Sequence, residues 1–299
     1  MQPNPVLKKL GFSNDDRVVI IHTDDIGMCQ ASVEAFAEMV DFGLISSGAV
    51  MVPCPWFLEA AAYAREHPKA DLGVHLTLTC EWDTYRWGPI STRDPQSGLM
   101  DDQGFFHKSS EGVWEHANAE AALAELDLQI RRAMEAGMVL THIDTHMGSV
   151  AHQKLIPGYV QLATKYGLPP MIPRLSAEEL KQTQEVDEAT AQMISQMIVV
   201  LEDIGIPLLD NLSGLSLENA NDRLGQAKKA LSDLKPGLTH FIIHPSKDTP
   251  ELRRITDSWD CRVADYKTFT SDAMRAFISQ EGIQVIGYRD LKTIMPSSG

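Results

Sequence analysis

The chain has 299 residues, 43% of them hydrophobic and 22% charged, with a formal net charge of −15. That balance suits a soluble globular protein, one large α/β domain or two small ones, with core enough to need no staples. Its acidity and the lack of a long basic run argue against a nucleic-acid partner, and no apolar stretch approaches the length of a membrane span.

Cys29, Cys54, Cys80 and Cys261 form no C-x-x-C pair. Scattered single cysteines suit a reducing compartment, and the first residues lack the apolar region of a secretory signal. A cytoplasmic location is the expectation.

In chain order, Val18–Thr23 reads as a first strand and Ser32–Phe42 as a helix stopped by Gly43. Ile45–Val52 is a second strand, closed by Pro53 and Pro55, and Trp56–Glu66 a helix ending before Pro68. Leu72–Leu78 is a third strand. Residues 117–136 carry Leu123, Leu126, Ile130, Ala133 and Met134 at helical spacing, and Val139–Asp144 follows as a strand. Further on, Lys154–Tyr166, Ala177–Asp203, Glu218–Leu234 and Thr270–Gln280 read as helices. Met171–Leu175, Pro207–Asp210, Thr239–His244 and Gln284–Gly287 read as strands between and after them. Strand–helix alternation implies a parallel sheet. The spacing predicts an irregular, TIM-like (β/α) barrel of seven to eight mostly parallel strands, in a single domain over residues 1–299, with a doubly wound open sheet as the alternative.

One segment breaks the rhythm. Residues 80–116 form a connection far longer than usual and hold Trp82, Tyr85, Trp87, Phe105, Phe106 and Trp114. They read either as a small core under a long loop or as a wall for a flat, partly apolar substrate such as a sugar ring, with Trp82 and Trp87 as the candidate contacts.

Ionisable residues recur at predicted strand ends. Asp24 and Asp25 follow the first strand, "GVHLTLT" carries His75, "THIDTHMG" carries His142, Asp144 and His146, and "FIIHPS" carries His244. The C-terminal edge of parallel strands is where sites assemble. Two adjacent carboxylates after a buried strand either cap the next helix or face a cation. Imidazoles with a carboxylate suit a divalent metal that keeps positions open for water and substrate. One aspartate would then ligate and its neighbour accept a proton from water, while a histidine donates to the leaving group. Taken singly, His75 fits a buried core histidine and His244 a strand end. His67 and His107 read as surface residues.

T-D-D-I-G after an apolar strand, G-V-H-L-T-L-T, T-H-I-D-T-H-M-G and H-P-S occur in that order. Together with "CRVADYKTF" and "GIQVIGYRDL" near the end, this pattern resembles the YdjC-like carbohydrate deacetylases (the ChbG/HpnK group), relatives of the NodB-type polysaccharide deacetylases. The resemblance runs from about Val18 to Leu291. It implies an irregular (β/α) barrel, a divalent metal at the C-terminal strand ends, and hydrolysis of an N-acetyl group from an amino sugar or short oligosaccharide. It implies Asp25, His75 and His146 as metal ligands, Asp24 as the catalytic base and His244 as the acid. His142, Asp144 and Arg262 would orient these groups, and Arg174 would contact substrate. The chain departs from the family where His146-Met147-Gly148-Ser149 replaces a histidine-rich run. Magnesium or zinc is the expected ion, and a homodimer the expected state on the general prevalence of two-fold pairs. The same site chemistry also suits an esterase or amidase on a non-sugar acyl group. A metal-dependent aldolase or isomerase is a more distant fit, with no lysine at a strand end to support it. A binding protein with a degenerate site is disfavoured by the intact set of aspartates and histidines.

Overall fold

The computed structural model describes residues 3–184 and 187–296. Among them seven strands are formed: β1 (Arg17–Ile26), β2 (Ser47–Val50), β3 (Leu72–Leu76), β4 (Ile143–Thr145), β5 (Asn211–Gly214), β6 (Gly237–Ile243) and β7 (Gln284–Val285). They make one curled, all-parallel sheet in the order β4-β3-β2-β1-β6-β5. Strand β7 pairs with Val18 and Val19 of β1, and β2 takes over the same edge from His22 onward.

The α/β class and the parallel sheet agree with the sequence pattern, but the strand ladders do not close into a barrel of seven to eight strands. Between edge strands β4 and β5 runs the predicted strand Met171–Leu175, which makes no regular ladder. Its neighbourhood contributes two isolated bridges, Ile143 with Pro170 and Pro173 with Leu209. Pro169, Pro170 and Pro173 lack the N–H groups a ladder requires.

Helices cover the outer face. Gln30–Phe42 buries Ala31, Ala35, Phe36 and Met39, and ends at Gly43, whose φ of 76° no side chain adopts readily. A helix inside the aromatic segment, Ser110–His116, precedes the predicted helix over 117–136, which forms as Ala119–Glu135 with Asn118 as its cap, accepting from the Glu120 and Ala121 N–H groups. On the second, Ala122, Leu126, Ile130 and Ala133 are buried, whereas Met134 is exposed. Buried Glu125 and Gln129 complete the inner face: Glu125 accepts from the Ile90 and Ser91 N–H groups, and Gln129 pairs with the Thr77 backbone. The predicted Ala177–Asp203 helix is Ala177–Gln184 and Glu188–Asp203, with 185–186 outside the described residues. The strand expected at Pro207–Asp210 forms directly after that span, as β5. Among the described residues, no helix is long and apolar enough to cross a membrane.

Candidate metal centre

The paired aspartates pose a geometric problem. A regular strand alternates its side chains, so Asp24 and Asp25 should point to opposite faces. The register with β2 slips here: Thr23 pairs with Gly48 and Ile26 with Val50, three steps against two. Asp25 sits in this bulge with φ 62°, a left-handed conformation uncommon for a residue other than glycine. The bulge turns both carboxylates to one place. Asp25 Oδ1 lies 3.5 Å and Asp24 Oδ2 3.7 Å from the same atom, His75 Nε2.

Two strands, β1 and β3, and one turn converge there. His75 comes from β3, and His146 from the single turn His146–Gly148 after β4. His146 Nδ1 is 3.3 Å from Asp25 Oδ1. That oxygen has no hydrogen-bond partner among the described residues although it is buried. Asp25 Oδ2 accepts from Arg262 Nη1 at 2.7 Å. Asp25, His75 and His146 each offer one ligand atom within 4.8 Å of the others. A buried, unsatisfied carboxylate oxygen flanked by two imidazole nitrogens is a donor set that fits a divalent cation.

The surroundings fix these groups. His75 Nδ1 donates to Asp144 Oδ1 at 2.8 Å, which leaves Nε2 turned to Asp25. His146 Nε2 lies 3.1 Å from Glu81 Oε2, a partner that sequence reasoning missed, although Glu81 opens the aromatic segment. Asp24 Oδ1 accepts from His22 Nδ1 at 2.8 Å, and His244 Nε2 is 3.8 Å from Asp24 Oδ2. His22 was also missed. It stands two residues before Asp24 on the same strand, a period-two signal within the motif itself.

Charges follow from these contacts. Burial opposes ionisation of Asp25, but the Arg262 guanidinium and the two imidazoles overcome it and hold the carboxyl well below its usual range. Asp24 is likewise lowered: burial opposes its charge, and His75 and His22 outweigh that. Burial works against a charged His75, yet Asp144 and Asp24 push it well above an ordinary imidazole. For His146, Glu81 and Asp25 overcome burial and raise it to about 9. Burial lowers His244. A cation entering this set replaces protons on His75 and His146.

The other expected residues fall in different places. Asp144 does contact His75. His142 touches no member of the Asp25–His75–His146 set by hydrogen bond; its Nε2 is 2.9 Å from His22 Nε2, one step further from the site. Arg262 binds Asp25 directly and lies 5.9 Å from the Trp82 ring centroid. Arg174 stands apart from these groups. Its guanidinium pairs with Asp210 and Glu202, both at 2.9 Å, and Asp210 accepts the Leu238 N–H at the start of β6. That group lies at the opposite end of the strands from Asp24 and His244.

The two tryptophans named as candidate contacts differ in burial. Trp87 is buried (4% exposed), donates through Nε1 to the Thr79 carbonyl at 2.9 Å, and packs edge-on against Trp82. Tyr85 donates to the Met28 carbonyl at 2.6 Å. Trp87 is therefore part of the loop core, with its ring centroid 6.3 Å from that of His146, and half-buried Trp82 borders Arg262.

The family model described as YdjC-like protein matches residues 18–280. A carbohydrate deacetylase of Thermus thermophilus is 32% identical, covering 92% of this chain and 94% of that one. A carbohydrate deacetylase of Thermoanaerobacter pseudethanolicus is 24% identical, over 92% and 100% of the two chains. A crystal structure of an Enterococcus faecalis protein named for cellobiose-phosphate cleavage superposes with a TM-score of 0.73 at 24% identity, covering 92% of this chain and 99% of the other, a likeness of fold. With the family model spanning most of its length, the chain belongs to the YdjC-like family.

Proposed function

We propose that the protein is a metal-dependent carbohydrate deacetylase that removes the N-acetyl group of an amino sugar or short oligosaccharide and releases acetate. The observation that carries this reading is the unsatisfied Asp25 Oδ1 between His75 Nε2 and His146 Nδ1, with a second carboxylate, Asp24, on the same His75 nitrogen. The curated relatives named carbohydrate deacetylases support the substrate class.

Asp25, His75 and His146 would hold one divalent ion, magnesium or zinc on donor chemistry. Such an ion supplies Lewis-acid activation of the acetyl carbonyl and of water. The protein's own groups do the rest. Asp24, ionised and with Oδ1 occupied by His22, accepts the proton of the attacking water on Oδ2. His244 is the donor to the departing sugar amine. Burial keeps its ring neutral at rest, so it must first gain a proton, and Asp24 Oδ2 at 3.8 Å is the carboxylate oxygen that can hand one on. Asp144 and Glu81 hold the two ligand imidazoles in place. Trp82 offers a ring face beside the centre for the sugar.

The test is release of acetate together with a free amine from a panel of N-acetylated amino sugars and oligosaccharides. Release from simple acyl esters alone would favour an esterase instead. No release from any amide or ester would remove the hydrolase reading.

A further inference from the structure

We propose that His22 is the positioning residue of the Asp24 base and that it is held doubly protonated, as a buried imidazolium, between Asp24 and Asp144. This deepens the deacetylase reading and rests on it for the role of Asp24; the protonation state of His22 does not.

The inference comes from following hydrogens along one buried chain. Asp71, just before β3, accepts from the Arg289 N–H on Oδ2 at 2.7 Å, and from the Ser47 and Thr141 hydroxyls on Oδ1 at 3.1 and 2.5 Å. A hydroxyl has one hydrogen, so Thr141 spends it on Asp71. Its oxygen, 2.9 Å from His142 Nδ1, can then only accept, and His142 carries its hydrogen on Nδ1. His142 is fully buried, and burial keeps its ring neutral. A neutral ring protonated on Nδ1 presents a bare lone pair at Nε2. That lone pair faces His22 Nε2 at 2.9 Å, so the hydrogen between the two rings belongs to His22. On its other side, His22 Nδ1 is 2.8 Å from Asp24 Oδ1, a carboxylate oxygen, and must donate there too.

Two donors on one imidazole make it a cation, and an unpaired buried cation is costly. The balance is present. Besides Asp24, Asp144 Oδ2 lies 3.3 Å from His22 Nε2 and has no hydrogen-bond partner among the described residues. The remaining ring neighbours are uncharged: His240, 4.5 Å away between centroids, is kept neutral by burial, and Tyr288, at the start of the last helix, meets the ring edge-on at 6.0 Å. His22 itself is 0% exposed. Gly73 makes the route sterically feasible, because a Cβ there would stand 2.6 Å from the His142 ring.

The consequence for Asp24 is specific. Its Oδ1 is occupied by a charge-assisted hydrogen bond, which fixes the plane of the carboxylate. Only Oδ2 is left to face His75 and His244, so a single oxygen serves as the base.

The experiment uses intact protein loaded with Zn²⁺ and labelled with ¹⁵N-histidine. At neutral pH, His22 should show a directly bonded hydrogen on both Nδ1 and Nε2, with the pair of signals lost in His22→Gln. A single N–H on His22 overturns the proposal. Should His22→Gln fail to fold, His142→Gln, whose amide oxygen can still accept from His22, assigns the signals by the shift it causes. In turnover of an N-acetyl amino sugar, His22→Gln should lower kcat about 10- to 100-fold with KM and zinc content kept. A kcat within twofold of wild type overturns the positioning role. If the wild-type protein releases no acetate from any amino sugar, the deacetylase reading fails, while the nitrogen signals still decide the state of His22.

Discussion

Arg262 Nη1 donates to Asp25 Oδ2 at 2.7 Å, and both side chains are almost wholly buried. The partners are 237 positions apart in sequence. Removing one side of a buried pair strands the other charge, at a typical cost of about 3–5 kcal/mol. A cation in the centre would compensate that stranded carboxylate. Arg262→Met should therefore melt well below wild type without metal, and saturating Zn²⁺ should raise its melting temperature by more than it raises that of wild type. Equal metal-induced shifts in the two proteins would mean that no ion reaches Asp25.

His75→Ala and His146→Ala each delete one nitrogen from the Asp25 cluster. Both should lose stoichiometric bound metal in elemental analysis after equilibration at a fixed free-ion concentration. Wild-type content in both variants would show the ligand assignment to be wrong.

Asp24→Asn and Asp25→Asn should separate. The first keeps the ligand cluster and loses the proton acceptor, so metal content holds while turnover collapses. The second replaces the unsatisfied oxygen, so metal binding weakens. Equal metal loss in the pair would merge the two roles.

Trp82→Ala and Trp87→Ala should fail in different ways. Truncating buried Trp87 leaves a cavity and the Thr79 carbonyl without its donor, costing about 3–5 kcal/mol in denaturant titration. Truncating half-buried Trp82 should cost little stability but lower kcat/KM on an oligosaccharide roughly 10-fold or more, about 1–3 kcal/mol of lost contact. A minimal acetyl ester should not register the Trp82 change. Matching stability losses and matching rates on both substrates would make Trp82 loop core as well.

Gly73→Ala places a methyl group 2.6 Å from both the ring and the carbonyl oxygen of His142. The carbonyl is backbone and cannot swing away, so overpacking should cost about 1–3 kcal/mol. A denaturation midpoint unchanged from wild type would show that β3 and β4 can part without penalty.

Local signals carried much of this protein in the linear chain. Apolar runs of four to eight residues marked β1, β2, β3 and β6, because a strand buried on both faces needs no polar alternation. The ligand candidates were legible because parallel strands end at one edge, so Asp25, His75 and His146 could be listed together before any distance was known. The Ala119–Glu135 helix showed its apolar face, although Met134 was placed on the wrong side of it and buried Glu125 and Gln129 went unseen. Helical spacing gives a direction but not what lies opposite.

Only the tertiary structure decided the rest. Whether Asp24 and Asp25 could share a site depended on a bulge against β2, and a bulge is a property of pairing, not of one strand. Glu81, Asp71 and Thr141 gained their roles from contacts 65 to 70 residues away, which no local pattern encodes. Arg174 looked like a strand-end cation, but its partners Glu202 and Asp210 hold it elsewhere. The sequence determined which chemical groups reach one edge of the sheet, since composition and period are local. Which lone pairs and hydrogens face one another was settled by packing, because hydrogen-bond partnership is fixed by distances of a few ångströms between residues the chain keeps far apart.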